Sequence, residues 1–164
     1  MIARVAVLAA VCALLVVAGC GSEPSSSSDA QRLDFTARTL DGEKLRGDSL
    51  LGKPTVLWFW APWCVKCNRE APGVARVWQS NSDNVRFVGV AALDEVPAMQ
   101  DFVRRHKLDG FEHLNDKDAQ VWQKFGVTEQ PAYAFISARG DIEIATGELS
   151  EDELGKRVAG VIAD

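Results

Sequence analysis

Two cysteines with two residues between them are the part of this sequence whose spacing indicates chemistry. Cys64 and Cys67 follow an apolar run of strand length, Pro54–Trp60, and stand at the expected start of a helix. Such a pair can close a small disulfide, and the free amide groups and dipole of a helix N-terminus favour a thiolate there. We therefore predict thiol–disulfide exchange through a mixed disulfide on Cys64, with Cys67 as the buried resolving thiol. Lys66 adds a positive charge that would lower the pKa of Cys64.

Two other uses of the cysteine pair stay open at this stage. The pair could be a structural disulfide, although a bridge that closes so short a loop stabilises less than one that closes a long loop. It could also contribute to a metal site, for example copper held with one histidine. The sequence has no second cysteine pair, and neither His106 nor His113 has ligand spacing to the motif. We expect both histidines at the surface, and we predict neither a metal nor a cofactor.

The first 19 residues are typical of a leader that is removed from the mature protein. The apolar run Val5–Ala18 is shorter than the ~20 residues that span a bilayer, and it fits the core of a signal peptide. Val17-Ala18-Gly19 and then Cys20 resemble the lipobox of bacterial lipoproteins. We expect cleavage before Cys20, lipidation of Cys20 and an extracytoplasmic position on the outer face of the cell membrane. Simple cleavage by ordinary signal peptidase is the alternative.

The remaining chain has the size and composition of one globular domain. Removal of residues 1–19 leaves 145 residues, with 17 basic against 23 acidic side chains and a net charge of −6. That acidic balance argues against a nucleic-acid-binding protein. Residues 20–32 are polar and rich in serine, so we predict a lipidated cysteine followed by a flexible linker. The globular domain is then expected to span residues 33–164.

Strands and helices alternate along this domain, which predicts the α/β class. Strands are predicted at Phe35–Thr39, Lys44–Leu45, Pro54–Trp60, Val85–Ala91, Ala132–Ser137 and Ile142–Thr146. Helices are predicted at Cys64–Gln79 with a kink at Pro72, at Pro97–His106, at Ala119–Phe125 and, after a capping box that opens at Ser150, at the end of the chain.

Several of these residues also resemble a known family. The motif from Trp60 to Cys67, W-A-P-W-C-x-x-C, resembles the thioredoxin active site, and Gln130-Pro131-Ala132 resembles the loop whose cis proline faces the cysteines in that family. Three segments are similar to the extracytoplasmic TlpA/DsbE-like branch, most of all to DsbF-type lipoproteins: Leu50–Pro54, Val96–Gln100 and Gln130–Tyr133. The resemblance implies a thioredoxin fold with a central mixed sheet, an inserted strand–helix unit and a short N-terminal β extension.

The resemblance also implies roles for particular residues. Cys64 and Cys67 would be the redox pair, and Trp63, Gln130 and Pro131 would contact the substrate. We predict oxidation of thiols in exported proteins by a membrane-anchored monomer, a direction based on the exported position, on the absence of thioredoxin's buried acid and on Lys66 beside the thiolate. A membrane partner of the vitamin K epoxide reductase type would reoxidise the pair.

One departure from the family leaves part of the mechanism open. Thioredoxins place a buried aspartate in the strand before the motif as a proton acceptor, and Trp58 stands at that position here. The nearest acidic residues, Glu70, Asp94 and Glu95, are expected to be ordinary surface or capping charges. The dipeptide Val65-Lys66 is neither the Gly-Pro of thioredoxin nor the Pro-His of DsbA, so the direction of electron flow cannot be copied from either. A reductant of the TlpA/ResA type, acting on apocytochrome or copper-protein cysteines, stays as the alternative, as does a non-catalytic copper-binding lipoprotein.

Overall fold

The computed structural model describes residues 25–164, so the predicted signal peptide and Cys20 lie outside the described residues. The helices are α1 (Ser25–Leu33), α2 (Val65–Asn81), α3 (Val96–His106), α4 (Gln120–Phe125) and α5 (Glu151–Ala163), with a 3₁₀ turn at Gly47–Leu50. The strands are β1 (Thr36–Thr39), β2 (Lys44–Arg46), β3 (Thr55–Trp60), β4 (Arg86–Ala91), β5 (Glu112–Asn115), β6 (Ala132–Ile136) and β7 (Ile142–Thr146). None of the helices within residues 25–164 is long and apolar enough to cross a membrane.

The strands of this region form one mixed sheet in the order β2-β1-β5-β4-β3-β6-β7. β3, β4 and β5 run parallel, while β6 lies antiparallel to β3 and β1 antiparallel to β5. Trp60 pairs with Ala91 and Phe59 pairs with Ala132. The ends of β3 and β4 therefore meet the start of β6 at one edge of the sheet. The predicted thioredoxin fold with a central mixed sheet and an N-terminal β extension is confirmed.

Strand β3 is buried on both faces, as its continuous apolar run predicts. Val56, Trp58 and Trp60 enter the core that α2, α3 and α5 cover. Leu57 and Phe59 enter a second core on the opposite face, which α4 covers. Because successive side chains of a strand point to opposite faces, only a strand with helices on both sides can bury all of its residues.

The serine-rich segment before residue 33 is not irregular throughout, because residues 25–32 belong to a helix. Helix α1 occupies Ser25–Leu33 and is attached to the domain. The Asp29 carboxylate is buried, accepts a hydrogen bond from the Ile142 amide at 3.2 Å and pairs with Arg32 at 2.6 Å. Leu33 is buried as well. One buried carboxylate with two partners thus holds a helix whose composition suggests a linker.

Strand β5 and the position of His113 also differ from the sequence-based prediction. The sequence of β5, Glu-His-Leu-Asn, holds only one aliphatic residue, yet it pairs with β4 inside the sheet. His113 is 5% exposed, and its Nε2 lies 3.0 Å from the Leu108 carbonyl oxygen. Desolvation lowers the pKa of His113 to about 4. His113 is therefore a neutral core residue, and the expectation of a surface position is wrong.

Gly89 of β4 makes room for this buried histidine, which leads to a prediction about stability. A Cβ at Gly89 would lie 2.0 Å from His113 Nδ1 and 2.8 Å from Trp60 Nε1. We expect Gly89→Ala to lower the free energy of unfolding by about 3 kcal/mol, measured by urea denaturation. The control is Gly160→Ala in α5, where an added Cβ meets nothing within 4 Å. A Gly89→Ala variant that unfolds at the wild-type urea concentration would contradict this packing.

Candidate active site

The cysteine pair lies where β3 ends and α2 begins. Cys64 and Cys67 form a disulfide with their Cα atoms 5.2 Å apart. Cys64 is the N-cap of α2, and its Sγ accepts a hydrogen bond from the Cys67 amide at 3.0 Å. Cys67 is fully buried, whereas Cys64 keeps 5% of its surface exposed. The amide and the helix dipole favour a thiolate on Cys64 once the disulfide opens, and Cys64 is the more accessible sulfur.

An exposed apolar surface surrounds Cys64. Trp63, Val65 and Leu93 are 55%, 77% and 44% exposed. The Trp63 indole nitrogen donates to the Leu93 carbonyl at 3.0 Å, so the loop after β4 holds the tryptophan beside the disulfide. Leu93 has a φ of 62°, a left-handed conformation that is costly for a leucine and concentrates at functional sites. Val65 and Leu93 were not predicted as site residues from the sequence. For Leu93 the reason is that nothing in a leucine predicts a left-handed backbone.

The loop before β6 lies at the same edge of the sheet. Because Ala132 pairs with Phe59, Pro131 lies beside the end of β3, where the cysteine motif begins. The Gln130–Pro131 peptide bond is cis, as predicted. Pro131 is buried, and Gln130 is partly exposed. The fold thus brings Trp63, Gln130 and Pro131 to the end of the sheet at which Cys64 and Cys67 lie. Their contacts with substrate stay a prediction.

Lys66 is exposed on the first turn of α2. Arg69 first, and Lys66 to a smaller extent, hold the pKa of the Glu148 carboxyl below its usual range. Lys66 therefore lies near an acidic side chain. Its predicted influence on the pKa of Cys64 stays a prediction.

A buried carboxylate lies behind the cysteines. Glu70 follows Cys67 by one helical turn and is 7% exposed. Its Oε1 accepts a hydrogen bond from Trp58 Nε1 at 2.7 Å, and its Oε2 accepts one from the Leu149 amide at 3.2 Å. Trp58, which stands where thioredoxin has its aspartate, here positions an acid that comes from the helix.

The environment of Glu70 fits a group that exchanges protons. Burial raises the pKa of Glu70 to about 7, against the opposing effect of its hydrogen bonds. The buried Tyr133 hydroxyl lies close enough to influence this carboxyl, although its geometry falls short of a hydrogen bond. Burial and the neighbouring Glu70 raise the pKa of Tyr133 well above its ordinary value. A carboxyl with a pKa near 7 can give up or accept a proton at neutral pH.

The other two acidic candidates do not lie in such an environment. Glu95 is exposed and its side chain makes no cap hydrogen bond to α3; it lies 3.5 Å from Lys117. Asp94 is half-buried and accepts a hydrogen bond from the Glu95 amide. The expectation of a surface or capping charge holds for these residues and is wrong for Glu70. Helical spacing from Cys67 was the available signal, but burial of an acid cannot be deduced from spacing alone.

Within residues 25–164, no group of three or more His, Cys, Asp or Glu side chains is arranged to hold a metal ion. The candidate active site consists of a disulfide at a helix N-terminus, an apolar surface beside the disulfide and a buried acid behind it. Together with the thioredoxin fold, this arrangement defines a thiol–disulfide oxidoreductase.

Comparison with known proteins agrees with this class. Residues 29–145 match the model of the AhpC/TSA family, and the chain belongs to this family. The soluble secreted antigen MPT53 of Mycobacterium tuberculosis is 42% identical over 158 residues, which cover 94% of this chain and 90% of MPT53.

Two solved structures are similar as well. The dsbF structure from M. tuberculosis, in mixed oxidised and reduced forms, has 53% identity and a TM-score of 0.78, covering 80% of this chain and 97% of that one. A secreted M. tuberculosis disulfide oxidoreductase homologous to E. coli DsbE has 46% identity and a TM-score of 0.74, covering 79% of this chain and 97% of that one.

Proposed function

We propose that this oxidoreductase works outside the cytoplasm and oxidises thiols of exported proteins to disulfides. The observation that supports this direction of electron flow is the hydrogen bond that Cys64 Sγ accepts from the Cys67 amide at the N-terminus of α2. A thiolate stabilised there favours the reduced form of the pair, and a pair that is stable when reduced is a stronger oxidant.

The reaction we propose has two steps. A substrate thiolate attacks Cys64 Sγ, forms a mixed disulfide and releases Cys67 as a thiolate, which takes a proton from Glu70. The second substrate thiolate then attacks the substrate sulfur of the mixed disulfide and expels Cys64. The substrate loses two electrons as its disulfide forms, and the Cys64–Cys67 pair gains them. Stabilisation of the Cys64 thiolate makes it a good leaving group in the second step.

The substrate surface we propose consists of Trp63, Val65 and Leu93 with the Gln130–Pro131 loop. These apolar side chains are exposed around the reactive sulfur, where the unfolded, reduced segment of an exported protein could pack. Such a surface provides apolar contact without selecting one sequence. It therefore suits an enzyme that acts on many partly folded proteins.

The sequence and the relatives support a proposal for the location and the partners of this protein. MPT53 and the DsbE homologue are described as secreted, which supports an extracytoplasmic position for this chain. We propose that Cys20 carries the lipid that holds the protein, as a monomer, on the outer face of the membrane. A membrane protein of the vitamin K epoxide reductase type would return the reduced pair to the disulfide.

The equilibrium of the pair with glutathione tests the direction of electron flow. We expect a reduction potential well above the about −270 mV of thioredoxin, together with oxidative refolding of a reduced, unfolded ribonuclease. A potential at or below that value, with preferential reduction of an oxidised apocytochrome peptide, would favour the TlpA/ResA-type reductant instead. A titration of the reduced protein with copper, read as tight binding without oxidase activity, would favour the copper-binding alternative.

A further inference from the structure

The side chain of Asn68 is bonded to the backbone of the cysteine motif. Asn68 follows Cys67 on α2, and its Nδ2 donates to the Pro62 carbonyl at 3.1 Å and to the Cys64 carbonyl at 2.8 Å. These carbonyls lie on either side of Trp63. One amide group therefore connects two points of the turn that carries the reactive sulfur.

The same side chain is held from the other side by a histidine. Asn68 Oδ1 lies 2.9 Å from His106 Nε2, at the end of α3. The amide nitrogen is used by two carbonyl acceptors, so the oxygen must face the histidine, and His106 Nε2 must carry the hydrogen of this bond. Both the protonated ring and its neutral Nε2–H tautomer can donate in this way. Desolvation first, and then Arg105, lower the pKa of His106, which favours the neutral form.

His106 is itself fixed to the strand that leads into the motif. Its ring packs on Phe102 with a centroid distance of 4.5 Å. Phe102 is fully buried and stacks on Trp60, the last residue of β3, with centroids 4.2 Å apart and planes 19° apart. A series of contacts thus runs from Trp60 through Phe102, His106 and Asn68 and ends at the turn that follows Trp60.

We propose that Asn68 and His106 are positioning residues that hold Cys64 at the N-terminus of α2 after the disulfide opens. In the oxidised protein the disulfide keeps Cys64 Sγ at 3.0 Å from the Cys67 amide. In the reduced protein that covalent link is gone, and the hydrogen bonds of Asn68 hold the Pro62 and Cys64 carbonyls in place. This role rests on the redox use of the pair under the proposed function, but not on the direction of electron flow.

Loss of these hydrogen bonds lets the turn relax and removes part of the stabilisation of the thiolate. The reduced form then becomes less favourable relative to the disulfide. We expect Asn68→Ala to lower the equilibrium constant for reduction by glutathione about tenfold, which is ~30 mV for a two-electron couple. The pKa of Cys64, followed by the ultraviolet absorbance of the thiolate, is expected to rise in the same variant.

A matched control lies on the same helix. Asn81 Nδ2 donates to the Val77 carbonyl at 2.7 Å, which is the same kind of bond at the far end of α2. Asn81→Ala is expected to leave both the glutathione equilibrium and the pKa of Cys64 unchanged. Equal values for Asn68→Ala and Asn81→Ala would overturn the proposal.

Two substitutions of His106 separate its hydrogen bond from its charge and its packing. His106→Phe keeps a ring against Phe102 but cannot donate, and we expect it to shift the equilibrium in the direction of Asn68→Ala. His106→Gln keeps an N–H donor without a titratable group, and we expect values near wild type. A shift of His106→Gln as large as that of His106→Phe would overturn the proposal. If Asn68→Ala does not fold, the comparison of His106→Phe with His106→Gln still tests the proposal.

A double variant and the wild type complete the experiment. Because both residues act through one network, the shift of Asn68→Ala/His106→Phe is expected to equal that of Asn68→Ala alone, and additive shifts would overturn the proposal. Failure of the wild-type protein to exchange with glutathione would contradict the proposed function. Wild-type exchange with unshifted variants would contradict only the positioning role.

Discussion

Replacement of Cys67 by serine leaves a protein whose Cys64 forms a mixed disulfide that no second protein thiol can resolve. We expect Cys67→Ser to accumulate a glutathione adduct on Cys64 when it is incubated with oxidised glutathione, and to lose turnover to background. The converse variant, Cys64→Ser, is expected to form almost no adduct, because Cys67 is fully buried. We therefore expect attack at Cys64, the only sulfur of the pair with exposed surface.

Mass spectrometry of a chain that begins at residue 21 measures this directly, since Cys64 and Cys67 are then its only cysteines. The Cys64→Ser/Cys67→Ser double variant is the control and should carry no adduct. An adduct that forms on Cys64→Ser as fast as on Cys67→Ser would show that the buried sulfur is the reactive one. That result would reverse the roles we assign to the two cysteines.

Replacement of Glu70 by glutamine is expected to slow the release and protonation of Cys67 by about 100-fold at neutral pH, because a positioned acid or base contributes at least that much. The wild-type rate should show a break near pH 7, where Glu70 titrates, and the break should be absent from Glu70→Gln. Stopped-flow fluorescence of the reaction with glutathione measures both. Glu151→Gln, an exposed carboxylate paired with Arg76, is the control and should keep the break. A break that persists in Glu70→Gln would assign it to another group.

The raised pKa of Glu70 also makes the stability of the wild-type protein depend on pH in a way that Glu70→Gln should remove. The folded protein holds this proton up to about pH 7, whereas the unfolded chain releases it near 4.5. The contribution of the protonated Glu70 to the free energy of unfolding is thus complete below about pH 4.5 and is lost as the pH rises to 7. Between pH 5 and pH 8 we expect the stability of Glu70→Gln to rise relative to wild type by on the order of 3 kcal/mol. Urea denaturation at the two pH values measures this difference.

The parts of the fold that were predictable from the sequence are those in which local residue patterns and tertiary structure agree. The apolar run of β3 is buried on both faces, α2 starts at the cysteines and continues through Pro72, and Ser150 caps α5 by accepting the Glu153 amide. The cis bond before Pro131 was predictable through the family resemblance. In each case a short run of residues is sufficient to predict the outcome.

The parts that were missed depend on contacts between distant segments. β5 is a strand because β4 and β1 lie on either side of it, although its own residues are mostly polar. α1 is ordered because Asp29 reaches an amide more than 100 residues away. The pKa of Glu70 is raised because the fold buries its carboxyl, which Trp58 and Leu149 hold from distant segments by hydrogen bonds that act in the opposite direction. Such long-range burial has no local sequence signal.

The attachment of α1 to the domain has a consequence for the proposed lipid anchor at Cys20. If Cys20 carries a lipid as proposed, five peptide steps separate it from Ser25, and they span at most about 18 Å. Asp29 of α1 joins the fold at Ile142, beside the start of β3, whereas the cysteines lie at the other end of that strand, about 20 Å away. The tether and the length of the sheet then set an upper limit to the distance between the cysteines and the lipid surface. A reoxidising partner would have to present its own cysteines within that distance.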